Sequence, residues 1–264
     1  MGGAYTAVGE GAEAVFWNPA AVGGMESTTE VALSHFVWYQ DISFEQGAAA
    51  LDLGRNFTLG AGVSFLNYGT IAGYAADGSA TNESISAYDL SGSLSLSAQL
   101  TDHISFGVSA KLVNQKLDDI NANGAAFDAG VRASAGDFCL AAVVANVGPA
   151  MKFDWASESL PTTTRLGLSW NPSDLVLLTV DLEKPQRGDL AIRQGVELDF
   201  SGHYYVRAGL QFAPGSPESG PGTEASFGAG LRLGGTEINY AFTPGDEFSA
   251  QLLHRFSVTF AIGE

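Results

Sequence analysis

Six of the eight arginines, Arg132, Arg165, Arg193, Arg207, Arg232 and Arg255, fall in runs that alternate between polar and apolar residues. A guanidinium offers a planar fork of donors that grips a carboxylate through two parallel bonds. Carboxylates occur in runs of the same kind. Asp181 and Glu183 share one run, Arg193, Glu197 and Asp199 share the next, and Arg207 lies in the one after. Arg232 and Glu237 flank one tight turn. The chemistry available to such a set is ion pairing along one face. It serves either as a lattice that braces a wall, or as a selectivity field or seat for another part of the chain. Other chemistry finds no support. His35, His103, His203 and His254 are scattered, with no two at metal-ligand spacing. There is no Gly-x-Ser-x-Gly elbow and no phosphate loop. Gly60-x-Gly62 and Gly228-x-Gly230 lie inside alternating runs, where glycine makes room for a neighbouring side chain. No catalytic residue, metal or cofactor is expected, and the chain reads as a non-enzyme.

Period two is the period of a strand, whose successive side chains point to opposite faces. In one run Tyr88, Leu90, Leu94, Leu96, Ala98 and Leu100 share a parity, and Asp89, Ser91, Ser93, Ser95, Ser97 and Gln99 share the other. Further on, Val206, Ala208, Leu210 and Phe212 oppose Tyr205, Arg207, Gly209 and Gln211. In the last run Leu252, Phe256, Val258 and Phe260 oppose Arg255, Ser257 and Thr259. Closed into a cylinder, these strands have an apolar outside and a polar inside, which is the arrangement a bilayer requires. Alternation and turn punctuation predict about fourteen strands, at 29–38, 42–52, 56–68, 85–100, 103–116, 125–135, 137–147, 162–171, 175–184, 191–200, 203–212, 224–233, 236–242 and 248–261. Short turns follow the even strands. Mostly longer connections follow the odd ones, at 69–84, 117–124, 148–161, 185–190, 213–223 and 243–247. The predicted fold is an all-β, transmembrane, antiparallel up-and-down barrel. An even strand count puts both chain ends on the short-turn side, the periplasmic one.

Composition agrees. Of 264 residues 45% are hydrophobic and only 16% charged, below the quarter usual in soluble domains. No apolar run approaches the roughly 20 residues of a spanning helix. The net charge of −17 argues against nucleic acid as a partner. Many acids fall in predicted loops (Asp77, Glu83, Asp118, Asp119, Glu158, Glu218, Glu224, Asp246 and Glu247), where they read as solvated surface. The single cysteine, Cys139, sits within an apolar strand and reads as a small hydrophobe. Trp38, Tyr39, Phe138, Trp170, Phe200, Tyr204 and Phe212 lie near strand ends and read as an interfacial girdle, the alternative being a stacking platform.

Residues 1–27 differ from the rest. They are rich in Gly and Ala, and Glu13–Trp17 suits a helical turn that ends at Asn18-Pro19, because a residue before proline is pushed out of helical geometry. The segment is too apolar for a free tail. It is expected to plug the mouth of the barrel formed by 28–264, with Gly2 and Gly3 in the gate, Phe16 and Trp17 as anchors and Asn18-Pro19 as a fixed bend. The remaining luminal charges (Arg132, Arg165, Asp181, Arg193, Glu197, Arg207, Arg232, Glu237 and Arg255) would brace the wall. No export signal is visible, so the numbering is expected to begin inside the mature protein.

The stretch Met1-Gly2-Gly3-Ala4-Tyr5-Thr6-Ala7-Val8-Gly9-Glu10-Gly11-Ala12-Glu13-Ala14-Val15-Phe16-Trp17-Asn18-Pro19-Ala20 resembles the amino-terminal signature of PorV/PorQ-like outer-membrane proteins, within the wider group of FadL-type long-chain fatty-acid transporters. The closing His254-Arg255-Phe256-Ser257-Val258 resembles that family's last strand. Ala21 stands where the family motif has Gly, the loops are short, and the chain runs past Phe260 to Glu264. The resemblance implies a fourteen-stranded barrel with an amino-terminal plug in the bacterial outer membrane. It implies a conduit or binding protein for hydrophobic small molecules, with outer-membrane lipids and a hydrophobic ligand as partners. The alternative is an accessory or shuttle component of a type IX-like secretion system, with secretion-machinery proteins as partners. A soluble all-β protein is the third reading.

Overall fold

The computed structural model describes residues 1–38, 42–74, 79–154, 156–215, 222–244 and 253–263. Its strands are β1 (Thr29–Val37), β2 (Ser43–Gly54), β3 (Phe57–Tyr74), β4 (Ala80–Thr101), β5 (Ile104–Leu117), β6 (Ile120–Ala135), β7 (Phe138–Val147), β8 (Met151–Lys152), β9 (Ser157–Glu158), β10 (Thr163–Ser173), β11 (Val176–Pro185), β12 (Ala191–Phe200), β13 (Tyr204–Ala213), β14 (Gly222–Leu233), β15 (Thr236–Thr243) and β16 (Leu253–Ile262). Fourteen of them form one closed antiparallel barrel in chain order, and β8 and β9 pair apart from it. Closure runs between β1 and β16, from Thr29 opposite Ile262 to Val37 opposite His254. A closed ring leaves every strand paired on both sides, so no backbone edge needs water.

The faces sort as the alternation predicts. Leu94, Leu210 and Phe256 point outward and are 56%, 49% and 50% exposed. Inward-pointing Ser95 and Asp181 are each 1% exposed. An exterior studded with bare leucine and phenylalanine needs hydrocarbon around it, since water would leave a large contiguous apolar surface unburied.

The turns sort too, with three corrections, the first being that the 69–84 connection is mostly strand, since β3 runs to Tyr74 and β4 starts at Ala80. The tight Arg55-Asn56 turn has both residues at positive φ (55° and 68°), the mirror-image turn whose twist matches that of the flanking strands. The 117–124 stretch is not a long connection. Strand β6 starts at Ile120, directly across from Leu117, and Asp118-Asp119 alone makes the turn, with Asp118 at φ 55°. Asn121-Ala122-Asn123-Gly124 reads as a loop by composition, but it pairs fully with β5, and Asn114 Nδ2 donates to Asn123 Oδ1 at 2.9 Å. The 148–161 connection carries its own short hairpin, β8–β9. Of the residues read from sequence as solvated or interfacial, Tyr39, Asp77, Glu218, Asp246 and Glu247 lie outside the described residues.

Two short 3-10 turns, Gly11–Phe16 and Pro19–Ala21, precede β1. Asn18 between them is extended (φ −151°, ψ 108°), as its position before Pro19 requires, and its side chain caps the second turn by accepting from the Ala20 N–H.

Candidate functional site

The inner wall of the barrel has two unlike halves. From β1 to β5 most of the inward residues level with the amino-terminal segment are small: Ala32, Ala48, Ala50, Gly60, Gly62, Ser91, Ser93, Ser95, Ser97, Gly107 and Ser109. From β10 to β16 they carry most of the charge. Residues 1–24 lie between the halves and engage each by different physics.

Against the small half the contact is mainly apolar. Ala12, Ala14, Val15, Ala21 and Val22 pack with Ala32, Ala48 and Ala50, joined by Phe16 and Met25. A Cβ on Gly60 would meet Val15 and Val22, and one on Gly62 would meet Val15 and Phe16. Against the charged half the contact is polar. Asp181 Oδ2 accepts the backbone N–H of Tyr5 at 3.0 Å and of Thr6 at 2.9 Å. Gly2 N donates to Ser226 Oγ at 2.9 Å, and Gly3 lies against the Arg193 side chain. Gly2 has φ 60° and its Cα faces the Leu210 backbone, so no other residue fits there without strain. Polar ties reach the small half as well, where Ala12 N donates to Glu30 Oε2 on β1 at 3.1 Å and Ser97 Oγ on β4 donates to the Ala20 carbonyl at 3.0 Å; on β6, between the halves, Arg132 pairs with Glu10.

Trp17 meets the charged half at Arg165. Its carbonyl accepts from Arg165 Nη1 at 3.3 Å, the Arg165 guanidinium lies 5.8 Å from its ring centroid, and Tyr5 meets it edge-on at 5.5 Å. Asn18 is fully enclosed, its Nδ2 donating to the Thr6 carbonyl at 3.2 Å.

The luminal charges form three groups. Glu183 bridges two arginines, Arg165 at 2.8 Å and Arg193 at 2.9 Å, and Arg193 Nε also donates to Gln211 at 3.0 Å. Arg207 joins Glu197, Asn239 and, at 3.4 Å, Glu237, which in turn pairs with Arg232 at 2.5 Å. Tyr205 lies under both Arg207 and Arg232, with ring-centroid distances of 5.0 and 5.2 Å. Lys111 pairs with Asp128 at 2.5 Å on β5 and β6. Three residues expected in the lattice stand outside it, Arg132 among them because its partner is Glu10 of the segment. Asp181 faces backbone N–H groups rather than an arginine, and Arg255 makes no ion pair with any described residue. Glu10, Glu30, Lys111 and Asp128 were not singled out from sequence. The last two share the inward parity of their strands and could have been found by that rule. The first two act on or from the amino-terminal segment, and no spacing signals such a contact.

Glu13 is held by Tyr5 OH at 3.2 Å and faces Thr259 Oγ1 at 3.5 Å. Burial, and then the nearby Glu237 charge, raise its pKa above the ordinary carboxylate value. The seated segment therefore binds the Glu13 proton more tightly than a released one. Seating strengthens as pH falls from above the raised pKa to the ordinary value, and changes no further through this group below it. Glu13→Gln is expected to remove that dependence and slow amide hydrogen exchange of residues 4–22 near neutral pH. Unchanged or faster exchange would show that the Glu13 charge costs the seated state nothing.

Beyond the segment, toward the long loops, the bore gains apolar lining. Phe36 and Phe44 face each other across β1 and β2, with Leu66 next on β3. The 148–161 connection folds over the inner faces of β5 and β6, where Met151 and Leu160 pack on Ala122 and Ala126, with Val113 and Phe153 alongside. Asn146, at a bulge with φ 60°, ties it down. Its Nδ2 donates to the Pro161 carbonyl at 3.3 Å, and its carbonyl accepts from Thr162 Oγ1 at 3.0 Å.

No protein-family model matches the chain, and no curated protein sequence matches it. Solved structures do. The "CymD monoaromatic hydrocarbon channel" superposes with a TM-score of 0.76 at 12% identity, covering 99% of this chain and 95% of the other. The toluene transporter TbuX of Ralstonia pickettii gives 0.71 at 14% identity, covering 99% and 96%. A FadL homologue of Pseudomonas aeruginosa gives 0.66 at 11% identity, covering 98% and 96%. The PorV/PorQ part of the resemblance and the secretion-system reading gain no support from these structures. At such identities the likeness is one of architecture, and this chain shares its barrel fold with proteins described as a hydrocarbon channel, a toluene transporter and a FadL homologue.

Proposed function

We propose that this chain is an outer-membrane conduit for small hydrophobic molecules, closed by its own amino-terminal segment. Residues 1–27 act as the plug and 28–264 as the barrel, with Phe16 and Trp17 as its apolar anchors, Asn18-Pro19 as its bend, and Gly2 and Gly3 where it meets β12 and β13. The luminal charges brace the wall against which it rests. The observation that carries this reading is the order of surfaces along the bore. An apolar-lined mouth (Phe36, Phe44, Leu66, Val113, Met151, Phe153, Leu160) opens above a segment wedged across the middle, inside a wall whose exterior is apolar. The fold it shares with channels described as carrying toluene and monoaromatic hydrocarbons supports the same reading. A hydrophobic solute gains on leaving water for the mouth lining, and the polar lattice behind it keeps the wall rigid rather than greasy.

Gram-negative cells expressing the chain are expected to accumulate radiolabelled toluene faster than cells with an empty vector. The chain should appear in the outer-membrane fraction and migrate differently before and after heating on a semi-native gel. Equal accumulation, with the barrel present and folded, would overturn the transport reading.

A further inference from the structure

Arg255 is the exception in the charge bookkeeping. Arg132, Arg165, Arg193, Arg207 and Arg232 each hold a carboxylate. Arg255, on the inner face of β16, forms no ion pair with a described residue, and its Nε has no hydrogen-bond partner. Its guanidinium lies 5.2 Å from the centroid of Phe36, its cross-strand neighbour on β1. Phe44 stands opposite Phe36 on β2, and the Trp38 ring lies 6.1 Å from that of Phe36 on the long-loop side. Glu13 is the carboxylate that acts on Arg255 through space, but its oxygens face Tyr5 and Thr259. Beside Arg255 on the inner wall, Ala241 across on β15 and Ser257 two along on β16 are small, while Leu253 lies two along toward the long loops. A Cβ on Gly228, beyond Ala241, would meet β15 first, at the Tyr240 carbonyl and at Ala241.

A guanidinium stacked on a ring, with a donor left free, small neighbours on one side and apolar ones on the other, fits a planar anion attached to a planar apolar body. Resting on the conduit reading above, we propose that the mouth binds an aromatic carboxylate, with the carboxylate on Arg255 and the ring continuing the Phe36–Phe44 surface. Such a ligand brings the counter-charge that the wall withholds. A neutral arene gains only the apolar contact.

Benzoate and toluene share a ring and differ by a carboxylate in place of a methyl group, so they separate the two claims. Equilibrium dialysis of the detergent-solubilised barrel against each radiolabelled compound is the test, near neutral pH and at low salt. The intact chain is expected to bind both. Arg255→Met should weaken benzoate binding by about tenfold or more, the worth of one charge-assisted pair, and leave toluene binding nearly unchanged. Arg255→Lys should fall between the two, because it keeps the charge and loses the fork. Heat-modifiable migration checks that each variant is folded. If toluene binds and benzoate does not, or Arg255→Met binds benzoate as the intact chain does, the proposal fails and the conduit reading stands. If neither compound binds, both fail.

Discussion

A chain lacking residues 2–20 is expected to conduct in planar bilayers, in discrete steps, where the intact chain passes little or no current. The wall does not depend on the segment for its closure. Its hydrogen bonds run strand to strand around the full ring, with β1 sealed to β16 through nine residue pairs. The bore depends on it heavily. The segment meets β1 and β2 through alanines, β3 at Gly60 and Gly62, β5 at Gly107, β6 at Gly130, β10 at Gly167, β12 at Gly195 and β13 at Gly209. A fourteen-stranded barrel is wider than the eight-stranded kind that side chains alone can fill. Removing the segment strips the lumen of its apolar filling and frees Asp181, Glu30 and Arg132 to face water. Conductance equal to that of the intact chain, from a variant that still shows heat-modifiable migration, would mean that something other than this segment closes the bore.

Much of this architecture was legible in the residues, and the reason is geometric. Alternation tells which side of a strand faces hydrocarbon without any knowledge of neighbours, and fourteen such runs in succession admit little besides a barrel. The pattern fades where its cause does. The long-loop ends of β3 and β4 run on to Tyr74 and from Ala80, and there β4 reads Thr81-Asn82-Glu83-Ser84, with no apolar parity to read. The start of β6 is hidden in the same way by Asn121 and Asn123, which pair with β5 through asparagine and backbone rather than through apolar burial. At the site, parity located the charges but not their partners. Arg232 and Glu237 were readable as a pair because one tight turn joins them. Asp181 was readable as inward but not as an acceptor of the Tyr5 and Thr6 N–H groups, since a backbone donor leaves no mark in a sequence. The sharing of Glu183 by Arg165 and Arg193 required the register of three strands, which is fixed only once the barrel closes.

Gly107→Val is expected to unseat the segment without disturbing the barrel. Gly107 is an inward residue of β5 whose added Cβ would fall on the carbonyl group of Pro19 and the nitrogen of Ala20. Those are backbone atoms in a capped turn, fixed by Asn18 and by the bond from Ser97 to the Ala20 carbonyl, so no side chain can swing aside to relieve the clash. Overpacking of this kind costs about 1–3 kcal/mol. The wall itself has no cause to give way, because valine suits a strand and β5 pairs with β4 and β6 at Gly107 through backbone groups that the substitution keeps. The cost therefore falls on the weaker partner, the segment. Gly92 on β4 supplies the control, since an added Cβ there meets nothing within 4 Å. Gly107→Val should give intermittent channel openings and faster proteolysis near Pro19, while Gly92→Val gives neither. If both variants stay as closed and as protease-resistant as the intact chain, the turn at Pro19–Ala20 has room to shift, and the close fit between segment and wall is not what keeps the bore shut.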